Sequence, residues 1–228
     1  MISDARRFFD LAVSDGVIPR SPMDGIKYQK RSKPTKLTPT SEQFKAIVAD
    51  LRSQSSNGHG AENSADFVEL SGVLGLGQAE LTAIQRQHIN LSLGTIQVFR
   101  RKTQRSFIVP IYFAARPIIG RRLPAMSPEP TARLLPYDDC KKGLDAACRR
   151  LGFPHFEPRS LRRYFITNAL RAGVDVATVA AWQGHRDGGA LVLKTYGDEV
   201  RLDHSLKMAA LLAPKEGVGK KGALTHNR

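Results

Sequence analysis

One stretch of this chain changes its hydrophobic period, and that change limits the fold more than any other feature. Within residues 88–111, Ile89, Thr95, Ile96, Val98 and Phe99, then Phe107, Ile108, Val109 and Ile111, have the β-branched and aromatic character of strands. A cationic turn, Arg100-Arg-Lys-Thr-Gln-Arg105, separates the last two of them. Elsewhere the apolar residues recur at helical spacing. Thr40 and Gln43 make a capping-box pattern ahead of Phe44, Ile47, Val48 and Leu51. Further helices are expected from about Ala65 to the break at Gly75-Leu-Gly77, over 78–84, and over 137–151, 160–172, 175–183 and 201–212. The polar run 52–64 is expected to be a loop. The fold class is therefore mainly α with a small antiparallel β-sheet (α+β). Gly75-x-Gly77 is not a dinucleotide fingerprint, because Glu80 stands where a third glycine is needed and no parallel βαβ pattern surrounds it.

Four segments follow along the chain. Residues 1–28 open in helical pattern with Phe8, Leu11 and Ala12 and turn at Asp15-Gly16; residues 29–37 are a basic linker; 38–213 form the main domain; and 214–228 are a Gly/Lys-rich tail expected to be disordered. Hydrophobic residues make up 41% of the chain, enough for a sizeable core, while the formal charge is +14 and the pI about 10.2. Such an excess of Lys and Arg favours a polyanion, since each phosphate contact releases condensed counterions. No run of 18 apolar residues and no signal-peptide pattern is present, so no membrane partner is expected and the chain reads as cytoplasmic, nucleoid-associated if prokaryotic. Cys140 and Cys148 fit neither a zinc spacing nor a disulfide framework and read as buried thiols. No metal site and no cofactor site is expected.

The most informative residues lie near the C-terminus: Pro158-Arg-Ser-Leu-Arg-Arg-Tyr-Phe165, Trp182-Gln-Gly-His185 and Lys194-Thr-Tyr196. Upstream stand Gly75-Leu-Gly-Gln-Ala-Glu-Leu81, and Arg101-Lys-Thr103 followed by Ile108-Val-Pro110. In this order and with these motifs, residues 37–212 resemble the catalytic domain of the tyrosine site-specific recombinases, the phage-integrase family. The resemblance implies DNA recombination and integration: cleavage and rejoining of double-stranded DNA through a 3'-phosphotyrosine intermediate by a homo-oligomer assembled on DNA. Tyr196 matches the nucleophile, Arg162 the arginine of the family's His-x-x-Arg box, His185 the histidine of its Gly-His pair, and Lys102 the hairpin lysine. Residues 1–28 then correspond to the last helix of a core-binding domain.

The chemistry agrees with those residue types. A phenolate leaves more readily than an alkoxide, so a tyrosyl–DNA bond is reversible without ATP. Arginine donates two parallel hydrogen bonds to phosphate oxygens and keeps its charge. Lys102 can protonate the leaving 5'-oxygen, and His185 can bond the phosphate or help deprotonate Tyr196. Lys27, Lys30, Arg31, Lys33, Arg101, Arg105 and Arg163 are candidates for binding the DNA backbone.

Two positions depart from the family. Gly77 stands where the first catalytic arginine belongs, and Arg159 where the box histidine belongs. Losing one donor at a reacting phosphate costs on the order of 10²–10³ in rate, so the alternative is a catalytically impaired relative that binds DNA without cutting it. Strand alternation would put Arg100 on the same face as Lys102. Arg100, with Arg159, is thus a candidate to compensate the missing charge. An apolar stripe of Leu202, Leu206, Ala209, Ala210 and Leu212 is expected to dock on its own domain or on a second copy.

Overall fold

The computed structural model describes residues 2–26, 37–54 and 59–211. It divides into two compact units, residues 1–35 and 36–228. In the first, helix α1 (Ile2–Ser14) ends as expected, with Gly16 in the left-handed region (φ 71°). Arg6 then ties the following turn back by donating to the carbonyls of Met23 at 3.2 Å and Ile26 at 2.9 Å. Lys27, Lys30, Arg31 and Lys33, most of the linker and the whole 214–228 tail lie outside the described residues.

The second unit begins with α2 (Ser41–Ser53), capped as expected. Thr40 Oγ1 accepts from the Gln43 amide at 3.2 Å, and Gln43 Oε1 accepts from the Thr40 amide at 3.0 Å. Helix α3 (His59–Leu74) buries Ala65, Phe67, Val68, Leu70 and Leu74. It starts well inside the expected 52–64 loop, because tertiary partners override the polar composition there. Asp66 is fully buried and accepts from Arg52 at 3.0 Å, Arg121 at 2.5 Å and Arg122 at 2.6 Å, while Arg122 also bonds Asn63. These bonds reach from α3 to α2 and to α5 (Arg116–Ala125). Gly75 ends α3 with φ 67°, and a Cβ there would lie 2.3 Å from the Phe165 ring, so both conformation and space demand glycine.

After the short helix α4 (Gln78–Leu81) come three antiparallel strands, β1 (Ile89–Asn90), β2 (Thr95–Arg100) and β3 (Arg105–Pro110), in the order β1-β2-β3. Ile96, Val98 and Val109 face the core. Val98 pairs with Phe107 and Arg100 with Arg105. The hairpin connection corrects one expectation. The strand stops at Arg100 and residues 101–103 form a 3₁₀ turn, so strand alternation does not extend to Lys102. Arg100 is half-buried and Lys102 is exposed.

The remaining helices are α6 (Lys141–Arg150), α7 (Pro158–Arg171), α8 (Val176–Trp182) and α9 (Ala190–Leu211). Cys140 and Cys148 are buried free thiols. The helix expected over 201–212 is the end of the longer α9, which includes Tyr196. Its start is fixed by Asp187, whose carboxylate accepts from the amides of Gly189 at 3.1 Å and Leu191 at 2.8 Å. Of the C-terminal stripe, Leu206 and Ala209 are exposed, and the side chains of Leu202, Ala210 and Leu212 lie outside the described residues.

Two cores result. The larger joins α2, α3, α6 and the sheet around Phe67, Leu70, Ile96 and Leu144. The smaller consists of Phe165, Ile166, Leu170, Val179, Ala180 and Val192, with Trp182 and Tyr196 at its margin. It fixes α7, α8 and α9 to one another, and with them the residues of the site.

Candidate active site

The site is organised around a carboxylate. Glu80 lies in α4, and its side chain is 10% exposed. Its Oε2 accepts from the Gly77 amide at 2.9 Å and from Arg162 Nη1 at 2.8 Å; its Oε1 accepts from Arg100 Nε at 2.5 Å. The second anchor is the carbonyl of Gln183, which follows α8. It accepts from Arg162 Nη2 at 3.1 Å and from Arg100 Nη2 at 2.6 Å, while Arg100 Nη1 donates to the Gly184 carbonyl at 3.2 Å. Two guanidinium groups from β2 and α7 thus flank one carboxylate. Arg100 also lies over the Phe107 ring, 5.2 Å from its centroid.

His185 is half-buried in the turn beyond Gln183, its amide bonded to the Ala180 carbonyl at 2.9 Å. The turn depends on Gly184, whose φ is 66° and whose Cβ would meet the Phe107 ring at 2.7 Å. Tyr196 is half-buried on α9 and lies within electrostatic reach of Arg162. Arg162, His185, Tyr196 and Arg100 are therefore brought together by four different elements.

Other expected residues fall outside this cluster. Lys102, Arg101 and Arg105 are exposed on the hairpin, and Arg159 is exposed on the first turn of α7, with none of the contacts described above. Arg163 turns inward, donating to the Leu37 carbonyl at 2.5 Å and to Ser160 Oγ at 2.9 Å.

Sequence reasoning did not assign roles to Glu80 and Gln183. The signal for Glu80 was present: an acidic residue three positions after Gly77 in an apolar run must be paired if buried. The Gln183 carbonyl had none, because a backbone acceptor is invisible in residue type.

The electrostatics follow from burial and neighbours. Burial raises the pKa of Glu80, but Arg162, the Gly77 amide and Arg100 together outweigh it and hold the carboxylate below its ordinary value. Burial lowers Arg162, Glu80 opposes this, and Arg100 adds to the fall; the group stays charged at neutral pH because an arginine starts so far above it. His185 is pulled below its ordinary 6.5 by burial first, then by Arg162 and Arg100, with Asp187 and Glu80 opposing. It is therefore neutral at neutral pH in the free protein and able to accept a proton.

Two outcomes follow. In an NMR titration of the free protein, His185 should titrate below the ordinary histidine value, and Arg100→Ala should move it upward; an unchanged midpoint in the variant would contradict the cluster. Glu80→Ala leaves two largely buried cations without their anion, and the loss of one partner from a buried pair costs about 3–5 kcal/mol. Urea denaturation should show a fall of that order, and a smaller one for Glu80→Gln, which keeps a hydrogen-bonding side chain.

No family model matches the chain. In sequence it is 25% identical over 205 residues to the tyrosine recombinase XerD of Lacticaseibacillus casei, covering 82% of this chain and 67% of that protein. Its fold is similar to that of a lambda integrase(75-356) dimer bound to a COC' core site, with a TM-score of 0.66, 15% identity, and coverage of 82% of this chain and 71% of that one. It is similar also to the Tn1549 transposon integrase in complex with a circular intermediate DNA (TM-score 0.65, 16% identity, 88% and 76% covered) and to XerA recombinase (0.56, 15%, 94% and 84%). In sequence the chain is thus similar to a tyrosine recombinase over most of its length, and its fold is that of integrase catalytic domains.

Proposed function

We propose that this chain is a site-specific DNA recombinase that cleaves and rejoins duplex DNA through a tyrosyl–phosphate bond at Tyr196. The observation that carries the reading is the convergence of a tyrosine, two arginines and a neutral histidine from separate elements, with exposed cations on the adjoining hairpin. The Tyr196 oxygen attacks the scissile phosphorus, and its proton passes to His185 or to water. The bond from phosphorus to the 5'-oxygen breaks, and that oxygen takes a proton from Lys102. Attack by a 5'-hydroxyl of another strand reverses the step and joins the strands. Arg162 offsets the charge that builds on the non-bridging oxygens.

Lys102 is exposed in the free protein, so the reading requires the hairpin tip to meet DNA. Lambda integrase is a dimer on its core site in the structure compared above; several copies of this chain on one DNA site are proposed likewise. Among the described residues, no helix is long and apolar enough to cross a membrane.

Gly77 favours a second reading, a relative that binds DNA without cutting it. A nicked duplex with a randomised core separates the two. Cleavage close to the nick releases a short oligonucleotide and traps the covalent complex. The reading expects a complex that survives SDS, with the nucleotide on the peptide containing Tyr196. DNA binding without any covalent complex would instead support the second reading.

A further inference from the structure

The family position of the first arginine is occupied by a residue without a side chain, yet the backbone does not ask for glycine there. Gly77 has φ −69° and ψ 155°, open to any residue. A Cβ at this position would lie 3.3 Å from Glu80 Oε2 and 3.8 Å from Arg162 Nη1. A long side chain from residue 77 would therefore enter the space beside Glu80 and Arg162. Arg100 reaches the same carboxylate from β2. It holds Glu80 Oε1, the oxygen that Arg162 leaves free, and is fixed by the Gln183 and Gly184 carbonyls.

The cluster has charge to spare. Two guanidinium groups at 18% and 19% exposure share one carboxylate, which leaves one positive charge in excess in a partly desolvated place. It also has donors to spare. Of the five N–H groups each guanidinium carries, Arg100 uses three and Arg162 two in the contacts given above, leaving two and three. At Asp66, where three arginines meet, Arg52 and Arg121 also pair with Glu69 and Glu62, so the charges balance there; at Glu80 they do not. A surplus cation with unused donors, rigidly held beside Arg162 and in the same electrostatic field as His185, is the arrangement a phosphate needs.

We propose that Arg100 is a catalytic residue that supplies, from the end of β2, the second guanidinium on the scissile phosphate, and that Gly77 is the space this relocation requires. The proposal rests on the recombinase reading above. It places the cation two residues before Lys102, so the hairpin carries both the charge on the phosphate and the acid for the leaving oxygen.

The test uses the full chain at saturating DNA, on a duplex selected from the randomised nicked library by covalent capture with wild type or Gly77→Arg, or by binding alone if neither captures DNA. Wild type, Arg100→Ala, Arg100→Lys, Gly77→Arg and the double variant Gly77→Arg/Arg100→Ala are compared by rate of covalent complex formation, with melting temperature and DNA affinity as controls. Arg100→Ala should slow capture on the order of 10²–10³, Arg100→Lys should fall between it and wild type, and the double variant should recover part of the loss. A second duplex carries a neutral methylphosphonate at the scissile position. Less negative charge then has to be offset, so the gap between wild type and Arg100→Ala should shrink. Arg100→Ala capturing DNA at the wild-type rate would overturn the proposal, as would an equal deficit on both duplexes, which marks a structural role only. Were wild type inert and Gly77→Arg active, Arg100 would not be the substitute, while Tyr196 would stand as nucleophile. Were neither active, with DNA still bound, the strand-cleaving reading would fail together with the proposal.

Discussion

Tyr196→Phe is expected to abolish the covalent protein–DNA complex, a loss on the order of 10⁴-fold or more, because no other group in the cluster can form the same bond. The substitution removes one oxygen from a half-buried ring that packs at the margin of the core between α7, α8 and α9. The ring and its packing remain. One net hydrogen bond is worth about 1 kcal/mol, so the melting temperature should stay within about 5 °C of wild type. DNA affinity should be little changed, since phosphates are held by the cations and not by the phenol. The measurement is the SDS-resistant complex on the nicked duplex beside a gel shift on the same DNA. A persistent covalent band in the variant would move the nucleophile elsewhere and remove the main support for the proposed reaction.

DNA binding itself should collapse with salt. Arg101, Lys102, Arg105 and Arg159 are exposed in the structure, and the chain carries a formal charge of +14. Six to ten phosphate contacts imply a loss of about 10³–10⁵ in affinity between roughly 50 and 200 mM salt. Arg101→Ala and Arg105→Ala should each reduce the slope of log affinity against log salt by about one, and weaken all duplexes alike. Arg163→Ala differs: its guanidinium holds Leu37 and Ser160, so it should lower stability more than it changes the salt slope. A flat salt response would remove the polyanion reading of the charge.

Arg159 and Arg162 illustrate how legible the site was. Both stand in one motif at the start of the same helix, and residue type alone makes either a phosphate ligand. Only Arg162 turns toward Glu80; Arg159 is exposed. Arg100 was legible as a candidate through strand alternation, but Lys102 does not share its face, because the strand ends at Arg100 and the chain enters a 3₁₀ turn. The polar start of α3 read as loop because its partners, Arg121 and Arg122, come from a helix more than fifty residues later. Helix α5 was not anticipated at all: it contains Pro117 and Pro124, which blur a helical pattern, and is held by what it packs against.

By itself the sequence determined the fold class and supplied the residue types that could act on a phosphate. Hydrophobic period dictates helix or strand locally, and a nucleophile or a permanent cation is a property of residue type. It also determined that residue 77 offers no side chain. What only the tertiary structure decided is which cations meet. Glu80 is the buried carboxylate of this cluster, and burial makes an unpaired charge so costly that it is met by the guanidinium groups the packing of β2 and α7 brings within reach. That those are Arg100 and Arg162, and neither Arg159 nor Arg163, depends on helix rotation and on where the hairpin ends, which are set by contacts distant in the chain.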